Sequence, residues 1–301
     1  MIPFANPLVA LSLTDPDVGL LHYARMLAGA GLLERVRFVH VLPSEQAPPR
    51  ETQIAEVRER MQREVREHFG DSRTAGDSIA VLHGPRLDRL LEYAAANRHD
   101  LILLGHRRER SGRRSLARRL AMSAPCSVWL VPEGAEPRLD GVLAPVDFSP
   151  PSADALSVAT AIAAGCGRKL CLALHVFFDP STVRYDEHIA EVRGNERDAF
   201  RQFVAGIDTH GVTIEPLFEE STHADQAILR VAQRHGVDLI VMATRGRSRA
   251  AAVLLGSTTS STLAITPVPL LAVKHFGSRM SLVDVLLDQR SWKKTGGQKT
   301  N

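Results

Sequence analysis

Asp100-Leu101-Ile102-Leu103-Leu104-Gly105 returns later in the chain as Asp238-Leu239-Ile240-Val241-Met242-Ala243, and this repetition decides the fold. An acid followed by a short apolar run reads as a strand buried on both faces, which is how central strands of parallel sheets look. The match extends outward in the same order. Upstream, Leu90-Leu91-Glu92-Tyr93-Ala94 corresponds to Ile228-Leu229-Arg230-Val231-Ala232. Downstream, Ala124-Pro125-Cys126-Ser127-Val128-Trp129-Leu130-Val131 corresponds to Thr266-Pro267-Val268-Pro269-Leu270-Leu271-Ala272-Val273. The openings agree in kind, Val9–Thr14 against Leu143–Ser149: a strand, then a polar turn. Matches in one order across the chain indicate an internal duplication.

Each copy alternates strand and helix. The first offers strands near 8–13, 34–42, 78–83, 100–104 and 126–131; the second near 141–146, 169–177, 213–218, 238–243 and 268–273. Amphipathic helices lie between them, one carrying Ile54, Val57, Met61, Val65 and Phe69, its counterpart Ile189, Val192, Phe200, Phe203 and Ile207. Such alternation predicts an α/β fold of two tandem open parallel sheets, five strands each, with helices on both faces. The expected boundaries are a first domain over 1–134, a second over 138–276, and a tail over 277–301. The join falls in the Pro- and Gly-bearing stretch Glu133–Pro137.

Composition narrows the function. The 301 residues carry 37 Lys+Arg against 34 Asp+Glu, a net charge of +3 that does not argue for nucleic-acid binding. No apolar run is long enough to span a bilayer. The first residues lack the basic and apolar regions of a signal peptide, so the expected location is the cytoplasm. Cys126, Cys166 and Cys171 form no CxxC pair and read as small core residues.

Ligands of open parallel sheets bind beyond the carboxyl ends of the strands. In the second copy, Pro145-Val146-Asp147 ends the first strand with a carboxylate that can accept from an exocyclic amine. After the fourth strand comes Met242-Ala243-Thr244-Arg245-Gly246-Arg247-Ser248, running on to Gly256-Ser257-Thr258. A glycine-opened helix start with two hydroxyls favours phosphate oxygens, and Arg245 and Arg247 add charge.

On these residues the chain resembles the universal stress protein family across both copies. Nucleotide-binding members carry Gly-x-x-Gly, nine residues, then Gly-Ser or Gly-Thr. Here Ala243-x-x-Gly246 is followed, after nine intervening residues, by Gly256-Ser257, with only the first glycine replaced. The resemblance implies a Rossmann-like, adenine nucleotide alpha hydrolase-like topology with strand order 3-2-1-4-5. It further implies ATP, AMP or ADP, with or without Mg, with adenine between Asp147 and Val176. The phosphates would meet Gly246, Arg247, Gly256, Ser257 and Thr258. It also implies pairing through the last strand of each domain, giving an internal pseudo-dimer or a homodimer.

The first copy departs from this pattern. Ser12 stands where Asp147 stands, Arg108 replaces Gly246, and Arg114-Ser115 replaces Gly256-Ser257. The expectation is a degenerate copy, kept for architecture or regulation. Asp147 alone also reads as a cap for the helix near Pro150. The arginines between 107 and 119 read as a solvated face or an anion-binding surface. His40 and His175, at matching strand ends, read as packed residues rather than metal ligands.

No P-loop lysine and no nucleophile elbow occurs, and Thr222-His223-Ala224-Asp225 reads as a capping box rather than as catalytic apparatus. Three roles stay open. One is a stress-response switch or adaptor governed by adenine nucleotide in the second copy. The others are a ligand-free scaffold recruiting a protein partner, and a slow ATP hydrolase.

Overall fold

The computed structural model describes residues 4–43, 48–70, 78–106, 116–180, 186–244 and 256–274, without the side chains of 186, 187, 189 and 190. The arginine-rich stretch 107–115, Arg245, Gly246, Arg247 and the tail from 275 onward lie outside the described residues.

The first half runs β1 (Pro7–Leu11), α1 (Asp17–Gly29), β2 (Arg37–Leu42), α2 (Glu51–Glu64), β3 (Ile79–His83), α3 (Arg86–Ala96), β4 (Leu101–His106), α4 (Leu116–Ser123) and β5 (Ser127–Pro132). The second runs β6 (Val142–Val146), α5 (Pro150–Gly165), β7 (Leu170–Phe177), α6 (Asp186–Val204), β8 (Thr213–Glu220), α7 (Ala224–Arg234), β9 (Leu239–Ala243), α8 (Ser257–Ile265) and β10 (Leu270–Val273). Within each half the strands are parallel in the order 3-2-1-4-5. β5 and β10 pair antiparallel, Leu271 against Trp129, so the two five-stranded parallel sheets join into one ten-stranded sheet. The reason is physical. Every residue of β5 and β10 is buried, and an uncovered apolar edge strand leaves its backbone groups unpaired.

The repeated acid has a structural job in both halves. Asp100 accepts the amides of Ala5 at 2.7 Å and Asn6 at 3.0 Å; Asp238 accepts those of Asp140 at 2.8 Å and Gly141 at 3.0 Å. Each carboxylate ties the start of the fourth strand to the start of the first.

Two apolar layers cover the sheet, and both draw on the two halves. One gathers Tyr23, Trp129, Val142, Leu156 and Leu271; the other gathers Leu90, Leu120, Ile228 and Leu263. Trp129 sits at the seam with no exposure, edge-on to Phe4 and Tyr23 at 6.3 and 6.1 Å.

Met61, Val65 and Phe69 are buried as the spacing requires, but the helix changes character there. Four-residue steps on an α-helix advance the side chain by about 40° each, so a strict four-residue repeat drifts off the core. Val65–Phe69 answers with a π-helical turn, closed by the Gly70 amide donating to the Val65 carbonyl at 3.1 Å. In α6, Phe200 is buried and Phe203 half-buried, whereas Ile207 lies beyond the helix end.

Candidate functional site

The carboxyl ends of β6, β7 and β9 and the N-termini of α7 and α8 enclose a cleft of about 310 Å³. Pro145, Val146, Asp147, Val176, Met242, Ala243, Gly256, Ser257 and Thr258 line it, so residues scattered over more than a hundred positions meet around one space. Thr244 sits just behind, 2% exposed, its carbonyl accepting the Gly256 amide at 2.7 Å. Gly246 and Arg247 fall outside the described residues. Ser152, Leu174, Ala224, Ile228 and Thr259 also line the cleft, and sequence reasoning missed them. Ser152 was within reach, because the matching position in the first copy holds an acid, Asp17.

Asp147 is held by the turn that follows it. Its Oδ1 accepts from the amide of Ser149 at 3.1 Å and from the Ser149 hydroxyl, and the Ser152 hydroxyl approaches its own amide at 3.4 Å. The helix cap itself is Ser149, whose hydroxyl accepts the Ser152 amide. Asp147 is therefore a turn-fixing side chain, not the cap of α5. Between them Phe148 takes a left-handed φ of 61°, and its counterpart Leu13 takes 57°. Non-glycine residues enter that region rarely, so the turn is strongly imposed in both copies.

Behind the turn, the His175 Nδ1–H donates to the Val146 carbonyl at 2.8 Å, and its ring stacks on Phe148 at 4.1 Å. Glu196 Oε2 lies 3.2 Å from the other ring nitrogen. His40 repeats the first contact with Leu11 at 3.0 Å. Both histidines are 6% exposed and serve as struts beneath the first-strand turn. Burial, offset only in part by that carbonyl, holds the His40 imidazole below its usual value.

At the other end of the cleft, Gly256 caps α8 with φ −60° and ψ 146°. The first amides of a helix have no intrahelical acceptor, so those of Ser257 and Thr258 stand at the cleft with two hydroxyls. Among the described residues, a Cβ at Gly256 would meet the Thr244 carbonyl at 3.7 Å and the Thr259 hydroxyl at 3.9 Å, both ordinary contact distances. The fold does not demand glycine there, and its missing side chain leaves space on the cleft side. Thr259 closes the first turn by donating to the Ala243 carbonyl at 2.8 Å.

The capping box expected at Thr222–Asp225 does not form. His223 is the N-cap of α7 without a side-chain cap bond, and Thr222 bonds the His223 ring at 2.9 Å instead. Burial pushes the Cys126 and Cys171 thiols up to about 12, as inert core residues require. No cluster of three or more metal-ligating side chains occurs among the described residues, and no helix there is long and apolar enough to cross a membrane.

Among known structures, a universal stress protein from Archaeoglobus fulgidus DSM 4304 is similar over 91% of this chain and 97% of its own, at 20% identity and a TM-score of 0.66. A functionally unknown protein from Pseudomonas aeruginosa PAO1 covers 97% of both chains at 18% identity and a TM-score of 0.62. These likenesses concern the fold. No curated protein matches the chain. The model of the universal stress protein family matches twice, over residues 5–132 and 139–274, and the chain therefore belongs to that family as a tandem member.

Proposed function

We propose that the cleft of the second half binds an adenine nucleotide (ATP, or AMP or ADP) and that occupancy makes the chain a switch or adaptor in a stress response. The observation that carries this reading is the pairing, across one cleft, of the Asp147 carboxylate with the glycine-capped start of α8. The first suits the exocyclic amine of a base, the second suits phosphate oxygens. Val176 and Met242 supply apolar walls for the ring between them. A divalent cation would arrive on the phosphates and neutralise part of their charge. A switch further requires that nucleotide favour one state of the chain over another. The two halves, paired through β5 and β10 as a pseudo-dimer within one chain, are the bodies whose relation such a switch would alter.

The test is to purify the chain under native conditions, denature it, and identify released nucleotide by chromatography and mass spectrometry. About one equivalent per chain, lost in Asp147→Ala, supports the reading. No released nucleotide, with no binding of added ATP and Mg, overturns it.

A further inference from the structure

In each half the second helix reaches back to hold the turn that follows the first strand, but by different means. The first half, whose cleft at the matching strand ends measures about 330 Å³, uses one exposed bond: the Arg60 guanidinium of α2 donates to the Leu13 carbonyl at 3.0 Å. The second half holds its turn from within. Glu196, Phe200 and Phe203 stand at i, i+4 and i+7 on α6 and so share one face. Phe148, the left-handed residue of the turn, meets Phe200 and Phe203 with ring centroids at 6.3 and 5.3 Å and stacks on His175 at 4.1 Å. Glu196 secures the far nitrogen of that histidine at 3.2 Å. With the Val146 carbonyl at Nδ1 and this carboxylate at Nε2, the His175 ring keeps one orientation; turned over, it would set carbon against both oxygens.

A left-handed φ is costly for phenylalanine and persists only where the surroundings over-determine it. Here α6 and His175 do so, and the residue next to the fixed ring is Asp147. We propose that Glu196, acting through His175 and Phe148, is a positioning residue for Asp147 and gives the second cleft its preference for a base that carries an exocyclic amine. The inference rests on nucleotide binding in that cleft. A hydrogen bond weakens steeply as its angle falls, so the amine contact depends on the direction of the Asp147 carboxylate. Phosphates met by the start of α8, at the other end of the cleft, do not depend on this turn. A slack turn costs the amine contact and spares the rest.

The test compares two ligands with Mg by calorimetry: ATP, and purine riboside triphosphate, which lacks the exocyclic amine. Glu196→Ala should weaken ATP about five- to tenfold and leave the purine analogue within about twofold of the unaltered chain. Glu196→Gln, whose amide still bonds the ring, should keep ATP within about twofold. The Glu196 side chain is 26% exposed, so its loss opens no core cavity. Phe148→Gly takes the same φ without strain and should lose the same discrimination, which decides the matter should Glu196→Ala fail to fold. Equal weakening of both ligands, or unchanged discrimination between them, overturns the positioning role while nucleotide binding stands. No binding of ATP to the unaltered chain overturns both.

Discussion

Asp17 accepts a hydrogen bond from the Ser12 hydroxyl at 3.0 Å, and in the other half the same two positions hold Ser152 and Asp147, acid and hydroxyl exchanged. Each pair fixes a turn in which the middle residue has positive φ. Only the second pair leaves its acid at the strand end, where a base would lie. We predict that Asp147→Ser combined with Ser152→Asp folds normally, with a thermal midpoint within a few degrees of the parent. Its affinity for ATP falls about ten- to a hundredfold, the equivalent of roughly 1–3 kcal/mol for a lost hydrogen bond, as read by calorimetry.

Stability will depend on pH through the histidines of the first half. Burial, set partly against carbonyl contacts with Leu11 and Asn6, lowers the folded-state values of His40 and His99 below 6.5. The unfolded chain then binds more protons than the folded one between those lowered values and 6.5. Their contribution is fully present above pH 6.5 and is lost as pH falls through the window beneath it. Urea midpoints should drop between pH 7.5 and 5, and His99→Gln should flatten the slope.

Asp238 is 10% exposed at its side chain and joins two strand-start amides to Arg138 at 2.9 Å. Replacing it with Ala removes the charged acceptor of the exposed Asp140 amide and the part-buried Gly141 amide, and we expect a loss of about 1–2 kcal/mol in urea unfolding. Asp100→Ala should cost a similar amount, because it serves the same two roles at β1 and β4.

The shared layers predict one cooperative transition for the whole chain in place of two. Trp129→Ala removes the largest side chain at the seam and should cost about 3–5 kcal/mol. Calorimetry and fluorescence transitions should shift together in that variant. Separate melting of two units would contradict a common core.

β4 and β9 were legible because each is a short apolar run led by an acid, and the two are nearly the same words. Asp147, Val176 and Gly256 could be placed at one site because strand ends and a helix start are the positions that a parallel sheet brings together. Other features depend on three-dimensional registration that spacing does not encode. The repeated Asp100 and Asp238 mark strand starts, far from the cleft, although a repeated acid invites a chemical reading. Ser12 looks like a loss when read alone, and only the volume preserved around it shows that the first half keeps a cleft.

The antiparallel seam between β5 and β10 has one more consequence. It sets the strands of the two halves in opposite directions, so the two clefts open at opposite edges of one sheet. A dimer of identical chains with the same geometry is bound by its two-fold axis to display two identical clefts. Joining the copies in one polypeptide lifts that obligation: each edge can diverge alone, and every molecule carries both kinds of opening in a fixed one-to-one ratio.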